Sequence, residues 1–255
     1  MISFLLALAA AAQAAPQGEE AQFKACAALV KSDPQKALST ANEWRIKGGG
    51  IVARQCLGLA YVELGRWAPA AVSFEQAARD AERANDPRRA DFWVQSGNAW
   101  LAAEDGAKAK TAFDAALATN ALSSELRGEV HLDRARAAVA TGDLKSARTD
   151  IDRALQLVAK DPFAWYLSAG LALREGNMAK ANADIGKAVE LAPDNADVLL
   201  YAGTIAGTSG DIASAKDYYV KVVKIAPGTD AAKSAQAALD AAAEPPEPVE
   251  AEEEE

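Results

Sequence analysis

Residues 57–78, LGLAYVELGRWAPAAVSFEQAA, carry two helical patterns rather than one. Leu57, Gly58 and Tyr61 recur at helical spacing, and so do Ala70, Phe74 and Ala77, but no single amphipathic helix produces both sets together. Gly65 stands between them, and a residue free to adopt positive φ lets one helix end and the next begin almost at once. The stretch therefore predicts two helices folded at Gly65. Gly58 and Ala70 are small where the helices cross, with Tyr61 and Phe74 filling the space beside them.

The pattern then recurs. In GDLKSARTDIDRALQL (142–157), GNMAKANADIGKAVEL (176–191) and GDIASAKDYYVKVVKI (210–225), Gly142, Gly176 and Gly210 fall at a constant step of 34 residues. Ala147, Ala181 and Ala215 keep that step, as do Ile151, Ile185 and Tyr219, then Ala154, Ala188 and Val222, and the basic Arg153, Lys187 and Lys221. A period of this length marks an array of helix-turn-helix units. Each pair has a face that only its neighbour can cover, so the expected core is built by stacking. With 50% hydrophobic but only 6% aromatic residues, the composition suits alanine-rich helices better than a sheet.

In this register the chain resembles the tetratricopeptide repeat family. Leu57-Gly58, Tyr61, Gly65, Ala70, Phe74 and Ala77 match the family pattern nearly in full. Trp93, Gly97, Trp100, Ala109, Phe113 and Ala116 form another unit, its turn glycine displaced to Gly106. Trp165, Ala169, Ala172, Gly176, Ala181, Ile185, Ala188 and Pro193 form a further one. The resemblance implies an all-α, right-handed superhelical solenoid with repeats at 51–84, 90–123, 128–161, 162–195 and 196–229. A degenerate helical pair within 15–50 precedes them, with Ala25, Ala28, Ala37, Ala41 and Trp44 in matching slots. Residues 85–89 and 124–127 are insertions between repeats.

The resemblance also implies a binding surface, the concave face lined by the first helix of each pair. Carried over slot by slot, it comprises Gln55, Leu59 and Val62; Val94, Asn98 and Leu101; Leu132, Arg136 and Val139; Phe163, Tyr166 and Leu173; and Leu200 and Thr204. Asp91, Glu129 and Asp197 would rim it. The family's basic clamp for a C-terminal carboxylate has no counterpart, because its slots hold Gln55, Leu59, Gln95, Glu129 and Asp133. The bland alternative for any apolar member of the set is packing of one first helix on the next.

Both chain ends differ from the body. MISFLLALAAAAQAAP has an apolar run from Ile2 to Ala12, followed by Ala12-Gln13-Ala14, which fits the small-x-small rule for signal cleavage. The expectation is a signal peptide at 1–14 and a periplasmic mature chain, with a buried N-terminal helix as the alternative. At the other end Thr229-Asp230 offers an N-cap for a capping helix over 230–243, and EPPEPVEAEEEE at 244–255 reads as a disordered acidic tail. That tail holds seven acids and no base, so of the net charge of −9 only −9 + 7 = −2 belongs to the rest. No basic patch marks a nucleic-acid partner, and the apolar run is too short for the roughly 20 residues of a membrane span.

Chemistry is sparse. Cys26 and Cys56 are the two cysteines, and an even count in an oxidising compartment predicts a disulfide, closing a loop of about 30 residues and stabilising by roughly 3.5 kcal/mol. Two separate, small buried thiols are the other reading. His131 is the single histidine, too little for a metal site or a nucleophile–base pair, and it falls in a helical slot that favours packing. The glycines at 48–50 lack the Lys-Ser/Thr of a phosphate loop and read as a flexible joint. No cofactor is implied. The expected function is a non-catalytic exported scaffold that binds a protein or peptide segment, with a self-associating structural module, or an enzyme's accessory subunit, as alternatives.

Overall fold

The computed structural model describes residues 15–243; the expected signal peptide and acidic tail lie outside them. Among the described residues there are thirteen helices and no strand: α1 (Ala15–Ser32), α2 (Pro34–Ile46), α3 (Gly50–Glu63), α4 (Trp67–Arg83), α5 (Arg89–Ala102), α6 (Gly106–Ala118), α7 (Ser124–Ala140), α8 (Leu144–Leu157), α9 (Pro162–Arg174), α10 (Met178–Leu191), α11 (Ala196–Thr208), α12 (Ile212–Ile225) and α13 (Asp230–Ala243). The architecture is all-α and of the solenoid kind. Contacts divide the chain into two compact units, α1–α8 and α9–α13, with the boundary between Leu157 and Val158.

The predicted fold-back at Gly65 is present. α3 ends at Glu63, Gly65 takes φ +66°, and α4 begins at Trp67. Between α5 and α6 the same left-handed position belongs to Glu104, at φ +59°. Gly106, expected as the displaced turn residue, is instead the buried first residue of α6, where an added Cβ would lie 3.0 Å from the Ala137 carbonyl oxygen. The glycine there serves close packing on α7 rather than the turn. At the joint 48–50 a Cβ on Gly49 would lie 2.4 Å from the Trp44 ring, so Gly49 lets the chain pass against that indole, while Gly48 and Gly50 take positive φ of +93° and +51°.

Helix starts are capped by short polar side chains that satisfy otherwise unpaired N–H groups. Asp33 accepts from the Lys36 N–H, Asp105 from Lys108, Ser123 from Leu126, Asn177 from Lys180 and Asp211 from Ser214. Thr229 caps α13 through the Ala232 N–H.

The core repeats a small–large pair sixteen residues apart. Phe74 lies on Gly58, Phe113 on Gly97 and Tyr219 on Gly203, each ring 2.5 Å from where a Cβ would be. At the same spacing Ala135 is matched with Ile151 and Ala169 with Ile185, all buried. One methyl gained on the first helix is offset by a smaller side chain on the second, conserving volume as close-packed interiors require. Within the first unit Cys26 of α1 is disulfide-bonded to Cys56 of α3, beside Ala37, Ala41 and Leu57. In the second unit α13 lays Ala235 against Leu199 and Val222.

Candidate functional site

The first-helix residues named from sequence meet different fates. In the first unit Gln55 and Leu59 are half-buried on α3, and Leu59 packs against the core. Asn98 on α5 and Arg136 on α7 are exposed. Leu132, expected on the open face, is only 2% exposed and belongs to the interior. That corrects the expectation: burying a leucine is worth about 2 kcal/mol, and its slot on α7 offers interior packing that a groove would not.

The polar groups of this unit are tied to one another. Arg136 donates to Asp133 at 2.9 Å, and Asn98 also bonds that carboxylate. Burial nevertheless leaves the Asp133 carboxyl above its ordinary pKa, because the bonds from Arg136 and Asn98 only partly compensate the lost hydration. A second network joins three helices. Arg134 donates to Asp114 of α6 at 2.6 Å and to Asp150 of α8 at 2.6 and 2.9 Å, while His131 Nδ1 lies 2.9 Å from Asp150. Burial pushes the Asp150 carboxyl up, but the His131 and Arg134 bonds together outweigh it and hold the pKa below the ordinary value. His131 is thus a packed, hydrogen-bonded side chain rather than an isolated base. Arg54 of α3 is paired with Asp80 of α4 at 2.7 Å.

The second unit brings its named residues together. Phe163 and Tyr166 stack on α9 with centroids 6.1 Å apart, and Tyr166 meets Tyr201 of α11 at 4.9 Å. With Leu200 and Thr204 they line an open cavity of about 380 Å³, and Phe163 remains 44% exposed. Asp161 begins α9 by accepting from the Phe163 N–H, and Asn195 begins α11 by accepting from the N–H groups of Asp197 and Val198, so both walls are anchored at capped helix starts. Thr204 is exposed and donates back to the Leu200 carbonyl.

Burial raises the Tyr166 pKa, and the Asp197 carboxylate adds to it. The Tyr201 pKa is raised by burial and by Tyr166, against a smaller opposing effect of Arg174. Both phenols are therefore neutral at physiological pH.

Tyr201 was not among the residues named from sequence. Its signal is Gly170, in the slot that elsewhere holds Leu59, Asn98, Arg136 and Thr204. A Cβ on Gly170 would lie 3.1 Å from the Tyr201 hydroxyl, so the missing side chain is what admits the ring.

Among the described residues no group of His, Cys, Asp and Glu is placed to hold a metal ion, and no helix is long and apolar enough to cross a membrane.

Comparison with known proteins follows this geometry. A tetratricopeptide repeat family model matches residues 164–195 and 196–229. No curated protein sequence matches the chain. Among solved structures, PilW, described as a widely conserved type IV pilus biogenesis factor, is 18% identical with a TM-score of 0.70, over 86% of this chain and 99% of that one. PilF of Pseudomonas aeruginosa is 16% identical with a TM-score of 0.65, over 88% and 98%. YrrB, described as a protein of this repeat class with an unusual peptide-binding site, is 18% identical with a TM-score of 0.53, over 77% and 96%. At these identities the likeness is one of fold.

Proposed function

We propose, from the repeat match at 164–229 and the fold shared with solved tetratricopeptide repeat structures, that this chain is a non-catalytic, exported scaffold that binds a protein segment along its first-helix face. The aromatic cavity of the second unit carries the reading. A 44% exposed phenylalanine stacked on a tyrosine is costly to leave in water, and rigid aromatic side chains anchor interfaces more than their number suggests. The exposed apolar residues of α12, Ile212, Val220 and Ile225, have Lys216 and Lys224 among them. That interruption disfavours α12 as a self-association surface and supports a client over a second copy.

Export is supported by the cleavage-like Ala12-Gln13-Ala14 and by the Cys26–Cys56 bond, which belongs in an oxidising compartment. PilW, sharing the fold, is named a pilus biogenesis factor, which makes pilus assembly one envelope process to test.

The test uses the full chain in cells with a photoreactive phenylalanine analogue at Phe163 or, as control, at Asp217 on α12. A cross-linked envelope protein at 163, absent at 217 and lost with Tyr166→Ala, is the expected result. Cross-links at 217 alone would overturn the groove. N-terminal sequencing should find Ala15 first, and a pool starting at Met1 in the cytosol would overturn export.

A further inference from the structure

The aromatic cavity has one ionised residue in its lining. Asp197 is exposed in the first turn of α11, and among the described residues no Lys or Arg pairs with it. Of the unit's other acids, Asp184 is paired with Lys180, Glu190 with Lys187, Asp194 with Lys221 and Asp230 with Lys233, while Asp161 and Asp211 cap helices and Asp240 accepts from Gln236; what sets Asp197 apart is its place in the cavity lining. Arg174, at the C-terminal end of α9, is not part of the lining but lies close enough to Tyr201 to lower its pKa, while Asp197 acts on Tyr166, so a basic tip belongs at the Asp197 end of the cavity. The carboxylate acts on the Tyr166 phenol, which places its charge beside the ring wall.

Resting on the groove reading above, we propose that this cavity takes the side chain of a lysine or arginine from the partner segment, its charge against Asp197 and its methylene stem along Tyr166 and Tyr201. Three arguments converge. A long basic side chain has an apolar stem and a charged tip, the same division that the cavity presents as aromatic wall and carboxylate. The faces of two tyrosines attract a cation as well as an alkyl chain, and arginine stacks on them. A purely apolar occupant would fill the wall but strip water from Asp197 without offering a partner, a cost that opposes binding. An acidic occupant, such as a segment like this chain's own EPPEPVEAEEEE, would be repelled.

The geometry also sets the neighbouring residue. Phe163 lies beyond Tyr166 at 6.1 Å, and Leu200 is on the facing helix, so an apolar residue next to the basic one has a surface to cover. The recognised feature is a basic residue adjacent to an aliphatic or aromatic one. Gly170 is a positioning residue here, since it keeps the Tyr201 ring in place without touching the occupant.

The probe is a random twelve-residue peptide library selected on the full-length protein, followed by fluorescence anisotropy of the best peptide and its Lys/Arg→norleucine and Lys/Arg→Glu versions. Selected sequences should be rich in Lys or Arg beside an apolar residue, and norleucine should weaken binding by about tenfold. Asp197→Asn should abolish that preference while apolar binding persists, and Gly170→Leu should weaken every peptide with helix content unchanged. Asp217→Asn on α12 removes the same charge elsewhere and should leave the preference intact, separating the site from the protein's general acidity. Binders without a basic preference, or a preference insensitive to Asp197→Asn, would overturn the cation site and leave the groove standing. Failure to select any peptide sensitive to Tyr166→Ala would overturn both.

Discussion

The first-helix faces of the two units use charge in opposite ways. On α5 and α7 the buried and half-buried charges bond within the protein: Asp133 to Arg136 and the neutral Asn98, and Arg134 to Asp114 and Asp150. On α9 and α11 the surface is aromatic, and Asp197 has no cation. A buried carboxylate such as Asp150 of α8, bonded to His131 and Arg134 of α7, holds a fold, because removing it strands its partners. A carboxylate at the mouth of a cavity holds nothing in the free protein and is available to something else. The difference therefore separates stability from binding.

Breaking the internal network should have one of the two largest effects. Asp150→Asn leaves Arg134 and His131 half-satisfied, and a loss of about 3 kcal/mol of unfolding free energy is expected in a urea titration. The pH dependence follows in sign. The folded pKa of Asp150 is depressed, so its contribution is full above the ordinary carboxylate value of about 3.9 and is lost as pH falls through the folded pKa. Asp133, whose folded pKa is raised, works the other way and disfavours the fold once ionised. An Asp150→Asn variant whose melting curve from pH 6 to pH 3 parallels the wild type would contradict this assignment.

Reducing the disulfide should have the other. About 3.5 kcal/mol is expected from a closed loop of 30 residues, confined to the end that it pins. Hydrogen exchange should quicken in α1 and α2 while α9–α13 keep their protection, since stacked repeats fray from an end. Uniform loosening would show the first unit to be more cooperative than its nearest-neighbour packing implies.

In the second unit the effect should move from stability to affinity. Tyr166→Ala is expected to weaken partner binding by about 2 kcal/mol, with circular dichroism unchanged. The smallest change is the sharpest test of the comparison. Asp197→Asn should leave the melting temperature nearly untouched, within about 0.5 kcal/mol of stability. If it destabilised the protein as Asp150→Asn does, the two faces would not differ in kind.

The repeat was legible because its physics is local and periodic. The 34-residue step, the turn at Gly65 and the crossing at Gly58 all rest on residue types that few alternatives can replace. Where a common residue does the uncommon job, the signal vanishes. Glu104 takes a left-handed turn with nothing in its identity to announce it. Leu132 was misread because an apolar residue looks alike in a groove and in an interior. The buried Asp150 and Asp184 were visible in principle, as an Asp-Ile pair recurring at the repeat step, but aspartate on a helix ordinarily means solvent. Phe163 and Tyr166 were named and lie in the lining of the aromatic cavity, whereas Tyr201 was not named, because a missing side chain at Gly170, not a present one, makes its place.

Within each unit, the main helix–helix contacts are between neighbours in sequence or the next but one. Such low contact order removes the long search that slows other folds, since no segment must wait for a distant partner to be synthesised. The chain can acquire structure vectorially as it emerges from the ribosome. Cys26 and Cys56, 30 residues apart, are among the first side chains able to meet, so the covalent closure can precede most of the stacking that follows it.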